Sequence, residues 1–345
     1  MPSLAYDVVM ATRNRPGVVA LSLPLLLSQT RRPAQVVIVD SSEDGAPIEA
    51  LARAADGTAG VPVLYLRAEA GLTLQRNQGL ALCRSDVVIL PDDDSLLYPD
   101  AAERILEVYE LDAEGAVAAV CAREAQRPPG EGLGLEAVAA ERRARPGARR
   151  LRQRLKERLA PLNPFLRVGH RLNARHPWPP WAEGMGVRPV PYMTGFRMSF
   201  RRAVLEREPF DETLGRYGWF EDIDASFRAM RHGLVVAATR AAVHHHRVAG
   251  PRGDGRAVGL WAVLNRAYVV MKAVDAHPGL FDRERERRRL GLYCLGRALA
   301  YRAMARDAFG LARAEGAREG LRRLGALTAA RGPELARLYA ALSEG

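Results

Sequence analysis

Three consecutive carboxylates, Asp92, Asp93 and Asp94, follow an apolar run at residues 87–91. The run predicts a buried strand, so the carboxylates stand where that strand meets solvent. Adjacent carboxylates repel one another, and a divalent cation that takes oxygen ligands from Asp92 or Asp94 and from a substrate phosphate would relieve the repulsion. Acidic turns that bind no metal are also common, so the triplet alone leaves both interpretations open.

A second acidic group, Glu221 and Asp222, stands at the start of a helical pattern in the second half of the chain. A carboxylate at such a position can act as a general base that takes a proton from an attacking hydroxyl. Acidic residues in a first helical turn also stabilise the helix dipole by about 0.3–1 kcal/mol. Taken by itself, the pair is compatible with either role.

Three histidines, His244, His245 and His246, follow the apolar run 234–238 and the short segment 239–242. In an extended segment His244 and His246 point to one face and His245 to the other. Imidazole can complete a metal site, and aspartate oxygens beside a diphosphate suit magnesium or manganese better than zinc.

The elements that must position these groups alternate between strand and helix over the first hundred residues. Such repetition predicts an α/β fold with a doubly wound, mostly parallel sheet. Ligands of open α/β sheets bind beyond the carboxyl ends of the strands. Residues 12–15, Asp40 and the acidic triplet all lie at that edge. Apolar runs predict strands at 8–11, 36–39, 61–66 and 86–90, and helical spacing predicts helices at 18–29 and 72–84.

Composition excludes several classes of protein. A chain of 345 residues with 48% hydrophobic content can bury a large core in one domain or in two unequal ones. The net charge of +11 comes almost wholly from arginine, a compositional bias that we discount as a sign of nucleic-acid binding. Three widely spaced cysteines argue against a disulfide framework and favour a reducing cytoplasm. We expect no membrane span and no secretion signal.

These motifs together resemble a family 2 glycosyltransferase of the GT-A fold, from about Tyr6 to about Val248. The segment 9–16 is similar to the family's first strand and nucleotide-contacting loop, 37–42 to its second strand with a base-binding acid, 71–79 to its arginine-asparagine helix start and 90–94 to its DxD segment. Ser41 replaces a second acid that the family often carries, which leaves Asp40 as the candidate for the nucleobase or ribose. The resemblance implies these nucleotide-binding residues: Thr12, Arg13, Asn14, Asp40, Arg76, Asn77, Asp92 and Asp93.

The resemblance also implies roles around the reaction. A metal ion, manganese or magnesium, would be held by Asp94 with help from Asp92 and His244, and His246 is nearly as good a candidate as His244. Asp222 would be the catalytic base, with Glu221 as the reserve. The acceptor side would include Thr194, Gly195 and Trp219. Arg13 and Arg76 would add positive charge near the phosphates, although either could be an ordinary surface arginine in this chain.

Two segments depart from a plain catalytic domain. Within the domain predicted at residues 1–250, an insertion at 123–190 is rich in arginine and proline, and its segment 141–175 is strongly basic. Leu151, Leu155 and Leu159 recur there between basic residues, which predicts an amphipathic helix that either packs on the core or contacts a membrane surface or acidic substrate. Residues 251–345 predict a helical extension.

The sequence therefore predicts a cytoplasmic, metal-dependent, inverting glycosyltransferase with a nucleotide-diphosphate-sugar donor. The acceptor would be a hydroxyl of a glycan or lipid-linked molecule, as in cell-envelope polysaccharide biosynthesis. An anionic membrane surface is a candidate partner that would place the enzyme peripherally on the inner face, and no nucleic acid is expected. One alternative is a nucleotidyltransferase acting on sugar phosphates, although its usual glycine-rich phosphate loop is missing. Another is a polyanion-binding protein built on residues 141–175.

Overall fold

The structure, a computed structural model, describes residues 3–130, 162–215, 219–247 and 254–343. Most of the basic segment 141–175, including the predicted helix at Leu151, Leu155 and Leu159, lies outside these residues. The chain divides into two compact units. Unit 1 is Met1–Glu131 with Leu172–Val248, and unit 2 is Gly132–Arg171 with Ala249–Gly345.

Unit 1 is built on one mixed sheet with the strand order β3-β2-β1-β4-β8-β6-β9-β5, and β7 pairs with β9. The first four strands pair in parallel, as the βα repetition predicts. The side chains of β1, β2 and β4 are almost entirely buried, as is usual where helices cover both faces of a parallel sheet, whereas β3 at the edge buries only Val63. The described strands are β1 Tyr6–Thr12, β2 Gln35–Asp40, β3 Val63–Arg67, β4 Val87–Leu90, β5 Ser95–Leu97, β6 Val117–Ala125, β7 Val187–Pro189, β8 Met198–Arg201 and β9 Leu234–His245.

Beyond β4 the sheet is mixed, because β8 runs antiparallel to both β4 and β6. Strand β9 then pairs in parallel with β6 and antiparallel with the short β5. Opposite the β6 step from Ala122 to Arg123, β9 advances from Ala238 to Ala242. The three extra residues on β9 shift the phase of side-chain alternation towards its end, where the histidines lie.

The helices of unit 1 begin at recognisable signals. Pro16 opens α1, where a missing backbone N–H costs nothing. Helix α7 begins with Glu221 and Asp222, whose charges suit the positive end of the helix dipole. The described helices of this unit are α1 Pro16–Leu27, α2 Ala46–Ala55, α3 Leu72–Leu80, α4 Ala101–Leu111, α6 Arg202–Arg207 and α7 Glu221–Ala229, and α5 Pro164–Asn173 runs across the boundary with unit 2.

Unit 2 is helical throughout its described part, as the pattern of residues 251–345 predicts. Three of its helices begin at an aspartate whose carboxylate accepts a backbone N–H of the first turn: Asp254, Asp282 and Asp307. The helices are α8 Gly255–Asp275, α9 Arg283–Met304, α10 Ala308–Ala329 and α11 Gly332–Ser343.

Glycines allow α8 and α10 to pack closely. A Cβ added at Gly259 would collide with the backbone of Arg313, and one added at Gly316 would collide with Arg256. Helix α8 is long and apolar enough to cross a membrane by length and composition, but 83% of its apolar stretch is buried. It is thus the central helix of unit 2, and it meets this test because core helices are also apolar.

Candidate functional site

The site lies at the carboxyl-terminal edge of the parallel strands, where the sequence predicts it. The strand β1 ends at Thr12, β2 ends at Asp40, and Asp92 makes an isolated parallel bridge with Ala11. Pairing with β1 therefore continues at Asp92, two residues past the end of β4, and places the acidic triplet beside the loop after β1.

Asp92, Asp94 and His245 form a cluster that could hold a metal ion. One ligand atom from each residue lies within 4.8 Å of the other two. Nε2 of His245 is 3.2 Å from Oδ1 of Asp94, and the imidazole stacks on Phe196 with ring centroids 4.5 Å apart and an angle of 16°. Two carboxylates and one imidazole suit the predicted Mn²⁺ or Mg²⁺.

The histidine of this cluster is His245, which corrects the prediction of His244. Nδ1 of His244 lies 3.0 Å from the carbonyl oxygen of Ala125, on the opposite side of β9. His246 is buried, and its backbone N–H donates to the carbonyl of Asp94 at 2.9 Å. Burial lowers the pKa of His246. Strand alternation separates the middle histidine from its neighbours, and the register of β9 turns the middle one toward the acids.

Arg15 is a site residue that the sequence reasoning missed. Its guanidinium lies 2.8 Å from Asp93 and 3.5 Å from Asp94. The predicted Arg13 instead lies 3.5 Å from Glu43 at the surface. The sequence places both Arg13 and Arg15 in the loop after β1, so either could be predicted to face the triplet. Only the conformation of the loop decides which one does.

Asp93 faces the protein more than the solvent. Oδ2 of Asp93 accepts the hydroxyl of Thr12 at 2.9 Å, and Oδ1 accepts the guanidinium of Arg15. Burial raises the pKa of Asp93 to about 6, against the lowering effect of Arg15. Thr12 and Asp93 thus fasten the triplet to the end of β1 and leave Asp92 and Asp94 as the carboxylates of the cation cluster.

Arg76 connects the acidic triplet to the helix start at Glu221. Its buried guanidinium donates to Oε1 of Glu221 at 2.7 Å and to Oδ1 of Asp92 at 2.9 Å. The ring of Phe210 lies 5.2 Å from its guanidinium carbon. Burial acts to lower the pKa of Arg76, but Glu221 and Asp92 act in the opposite direction, and its pKa is raised. Arg76 is therefore a charged internal link between the acidic triplet and α7, and its role near the phosphates stays a prediction.

Glu221 and Asp222 have different surroundings. Burial and the neighbouring Asp222 raise the pKa of Glu221 to about 8, although Arg76 acts to lower it. Burial raises the pKa of Asp222 to about 6, against the lowering effect of two backbone N–H groups. Those donors are Gly195 at 2.9 Å and Ile223 at 2.8 Å. The half-buried Asp222 accepts both backbone N–H groups, whereas the buried Glu221 accepts the guanidinium of Arg76.

The conformation of the preceding residue helps to aim this pair. Phe220 has φ 73°, in the left-handed region that non-glycine residues rarely adopt. A backbone held there reverses direction sharply before α7 begins. Strained positions of this kind are found at functional sites more often than elsewhere.

Asp40 occupies the predicted edge but is closed off by its own neighbours. Oδ1 of its fully buried carboxylate accepts the N–H of Ser42 at 2.8 Å and also the Ser42 hydroxyl. Oδ2 accepts the hydroxyl of Tyr65 at 2.8 Å and the guanidinium of Arg67 at 3.1 Å. With both oxygens occupied, Asp40 shapes the loop after β2 and presents no open oxygen to a nucleobase.

The two predicted asparagines tie loops together. Asn14, with φ 55°, takes the N–H of Glu43 at 3.0 Å, and its own N–H donates to the Ser42 hydroxyl at 2.7 Å. Asn77 exchanges hydrogen bonds with the backbone of Phe210 at 2.9 Å in both directions. Asn14 therefore joins the loops after β1 and β2, and Asn77 holds the segment that leads towards α7.

The predicted acceptor-side residues are Gly195, Thr194 and Trp219, and they have different surroundings. A Cβ added at Gly195 would lie 3.4 Å from both Arg76 and Glu221 and 3.5 Å from Asp92, so this backbone passes through the centre of the site. Thr194 accepts from Arg197 at 2.7 Å. The half-buried Trp219 has its ring 5.9 Å from that of Phe220.

A family model, Glycosyl transferase family 2, matches residues 7–171. The matched segment contains the first four strands, Arg76 and the acidic triplet. Residues 7–171, just under half of the chain, thus match the family that the motifs predict. No curated protein matches the sequence.

Two solved structures share the fold. One is the mannosyltransferase PcManGT from Pyrobaculum calidifontis in complex with GDP-Man and Mn²⁺, at TM-score 0.50 and 15% identity, covering 99% of this chain and 86% of that one. The other is GalNAc-T7 with UDP, GalNAc and Mn²⁺, also at TM-score 0.50 and 15% identity, covering 79% of this chain and 48% of that one. This chain therefore spans about half the length of GalNAc-T7.

Proposed function

We propose that this enzyme transfers a sugar from a nucleotide-diphosphate-sugar to a hydroxyl group, with inversion at the anomeric carbon. The observation that carries the proposal is the arrangement around Arg76. This buried arginine has a carboxylate of the cation cluster, Asp92, on one side and the carboxylate pair at the start of α7 on the other. A leaving diphosphate and an attacking hydroxyl need those two functions side by side.

The donor end of the site is the cluster of Asp92, Asp94 and His245. A divalent cation held there would neutralise charge that develops on the leaving diphosphate. Phe196 keeps the imidazole of His245 in one plane by stacking. Arg15 reaches Asp93 and Asp94 from the loop after β1 and is one-third exposed, so it can also turn toward an anionic diphosphate.

The acceptor end is Asp222, in the role of general base. A base must be ionised before it can take the proton of the attacking hydroxyl, and a carboxylate with a pKa of about 6 meets that condition at neutral pH. Glu221 is more buried, has a pKa of about 8 and bonds to Arg76, which suits a positioning role. Inversion is supported by a single general base that can act on the acceptor without a covalent intermediate.

The acceptor proposed is a glycan or lipid-linked hydroxyl, in cell-envelope polysaccharide biosynthesis. Support comes from Asp222, which is partly exposed, and from the half-buried aromatic Trp219 three residues before it in the chain. An aromatic ring beside a catalytic carboxylate can stack on a sugar. A cytoplasmic location is supported by the three cysteines, Cys83, Cys121 and Cys294, which are free and buried.

Thermal unfolding in the presence of nucleotide sugars tests the donor class. A ligand that binds only the native state raises its stability, by about 2.7 kcal/mol at a concentration of 100 times its Kd. We expect stabilisation by one set among UDP-, GDP- and dTDP-sugars that requires Mn²⁺ or Mg²⁺. Stabilisation by nucleic acid instead would favour the polyanion-binding alternative.

Product analysis separates sugar transfer from nucleotidyl transfer. Transfer of the sugar releases a nucleoside diphosphate, whereas a nucleotidyltransferase acting on sugar phosphates releases pyrophosphate from a nucleoside triphosphate. Formation of pyrophosphate, with no nucleoside diphosphate from any sugar nucleotide, would contradict the proposed reaction.

A further inference from the structure

The helix α9 carries an exposed apolar stripe whose ends are basic. Leu292, Leu295 and Leu299 are 64%, 46% and 62% exposed. Arginines continue the same line beyond both ends of the leucines. The stripe is formed by Arg285, Arg288, Leu292, Leu295, Leu299 and Arg302, all of them exposed, and the exposed Glu284 at its N-terminal end pairs with Arg287 and Arg288.

The spacing puts these six residues on one face. At about 100° per residue they fall within an arc of about 100°, and at 1.5 Å rise per residue the stripe is about 26 Å long. The opposite face of α9 is buried within unit 2 through Leu290, Tyr293, Cys294, Ala298 and Tyr301. The core of the unit therefore does not use the leucines of the stripe.

Exposed apolar side chains concentrate in this region of the described chain. Five of the nine large hydrophobic residues that are exposed lie between residues 292 and 311, and the last two are Phe309 and Leu311 at the start of α10. Single exposed leucines are normal on protein surfaces, but a cluster with polar ends marks an interaction site.

Two occupants could cover an apolar stripe of this kind, and charge separates them. A second copy packed antiparallel across a two-fold axis at Leu295 would set Arg288 of each helix opposite Arg302 of the other. Like charges placed directly opposite each other are unfavourable. An anionic surface meets attraction at both ends of the stripe. Residues 254–343 carry 17 basic and 9 acidic side chains, so the surroundings of the stripe are also positive.

We propose that the exposed face of α9 is a docking surface for a membrane rich in anionic phospholipid. The leucines enter the interface between head groups and acyl chains, and the arginines contact the lipid phosphates. This surface lies wholly within unit 2 and is formed by residues 285–302. The proposal does not depend on the sugar-transfer reaction, because binding is measured without donor or acceptor.

The experiment is co-sedimentation of the full chain with vesicles of phosphatidylcholine and phosphatidylglycerol, compared with vesicles of phosphatidylcholine alone. We expect binding to the anionic vesicles that weakens as salt rises from low to high concentration, because salt screens exposed charges. Equal binding to both vesicle types, or no binding to the anionic ones, would overturn the proposal.

Matched variants locate the surface. Leu292→Ser with Leu299→Ser should reduce the vesicle partition coefficient by tenfold or more, because each leucine loses apolar burial. The control pair is Leu64→Ser with Leu111→Ser, two leucines of unit 1 that are each 39% exposed. That pair should bind like the unmodified chain. Equal losses in both pairs would overturn the assignment, as would a stripe variant that binds normally.

A single arginine has an equally close control. Arg288 is 75% exposed and pairs with Glu284 one turn earlier, and Arg53 is 77% exposed and pairs with Glu49 at the same spacing. Arg288→Gln should weaken binding to anionic vesicles about fivefold, whereas R53Q should have no effect.

Sedimentation velocity without lipid tests the competing occupant. We expect the unmodified chain and the variant with serine at positions 292 and 299 to have the same sedimentation coefficient. A dimer that dissociates in the variant with serine at positions 292 and 299 would show that α9 binds a second copy, and would overturn membrane docking. Unchanged circular dichroism of each variant confirms that the comparison is between folded proteins.

Discussion

Asp40 and the acidic triplet stand at equivalent places, each at the carboxyl end of a buried parallel strand, yet they are in opposite states. Asp40 is enclosed by four donors from Ser42, Tyr65 and Arg67. Asp92 and Asp94 instead share a small space with His245, and each has one arginine within 3.5 Å. One carboxylate is closed and stabilises a loop, whereas the other two are open to a cation.

The neighbouring strand explains the difference. Strand β3 pairs Arg67 directly with Asp40, and Tyr65 on the same strand also reaches its carboxylate. The triplet lies past the end of β4, where the pairing with β1 finishes and the cations available are Arg15 and Arg76. A strand-end aspartate thus becomes a ligand or a structural anchor according to the donors on the next strand.

The largest effect is expected where an open carboxylate performs chemistry. Asp222→Asn removes the proposed base but keeps a side chain of similar size, so turnover should fall on the order of 10²–10⁴-fold while donor affinity stays nearly unchanged. Steady-state kinetics with a separate donor-binding assay measure both quantities. If Glu221→Gln is inactive and Asp222→Asn is active, the base has been assigned to the wrong carboxylate.

The next effect concerns the open carboxylates of the cation cluster. Asp94→Asn and, separately, His245→Ala should each weaken Mn²⁺-dependent donor binding by tens to hundreds of fold, because each removes a direct ligand. His244→Ala is the matched control, since His244 faces Ala125 and should leave Mn²⁺ affinity within a few fold. Isothermal titration with Mn²⁺ and donor checks this order. A larger loss in His244→Ala would restore the original prediction of His244.

The pH dependence should be a smaller effect that sharpens the choice of base. A carboxyl group whose pKa is raised must lose its proton before it can act, so activity falls as pH drops through that pKa. With Asp222 as the base, kcat/KM should decline about tenfold per pH unit below about pH 6. A bound cation would move this limit to lower pH. A decline that already begins near pH 8 would point to Glu221.

The closed carboxylate should have the smallest effect on activity and a clear effect on stability. Asp40→Asn leaves the donors of Tyr65, Arg67 and Ser42 poorly matched, which should lower the free energy of unfolding by about 2–3 kcal/mol. Turnover at saturating donor should change by less than about threefold, since Asp40 offers no open oxygen. Urea unfolding and kinetics of the same preparation test this contrast. Unchanged stability with a large rise in KM would show that Asp40 contacts the nucleotide after all.

Much of the frame could be predicted from the sequence because its signals are local. The β-branched runs place β1, β2 and β3 within about two residues of their observed bounds, and the helical pattern of residues 251–345 predicts the helical extension. The convergence of Thr12, Asp40 and Asp92 on one edge also follows, because parallel strands end on the same side. The antiparallel entry of β8 between β4 and β6 was not predicted, since strand order depends on contacts between distant segments.

The candidate site divides along the same line. The sequence alone predicted that the triplet lies at a ligand-binding edge and that the pair at 221–222 begins a helix, because residue type and periodicity act over a few residues. Only the tertiary structure decided that Arg76 bonds to Glu221, 145 residues away, that Arg15 replaces Arg13 beside the triplet, and that Asp40 is closed. The tertiary structure also decided that His245 is the histidine of the cluster. Alternation along a strand separates neighbouring histidines, but the face that meets the acids depends on the register of β9 after its three extra residues against β6.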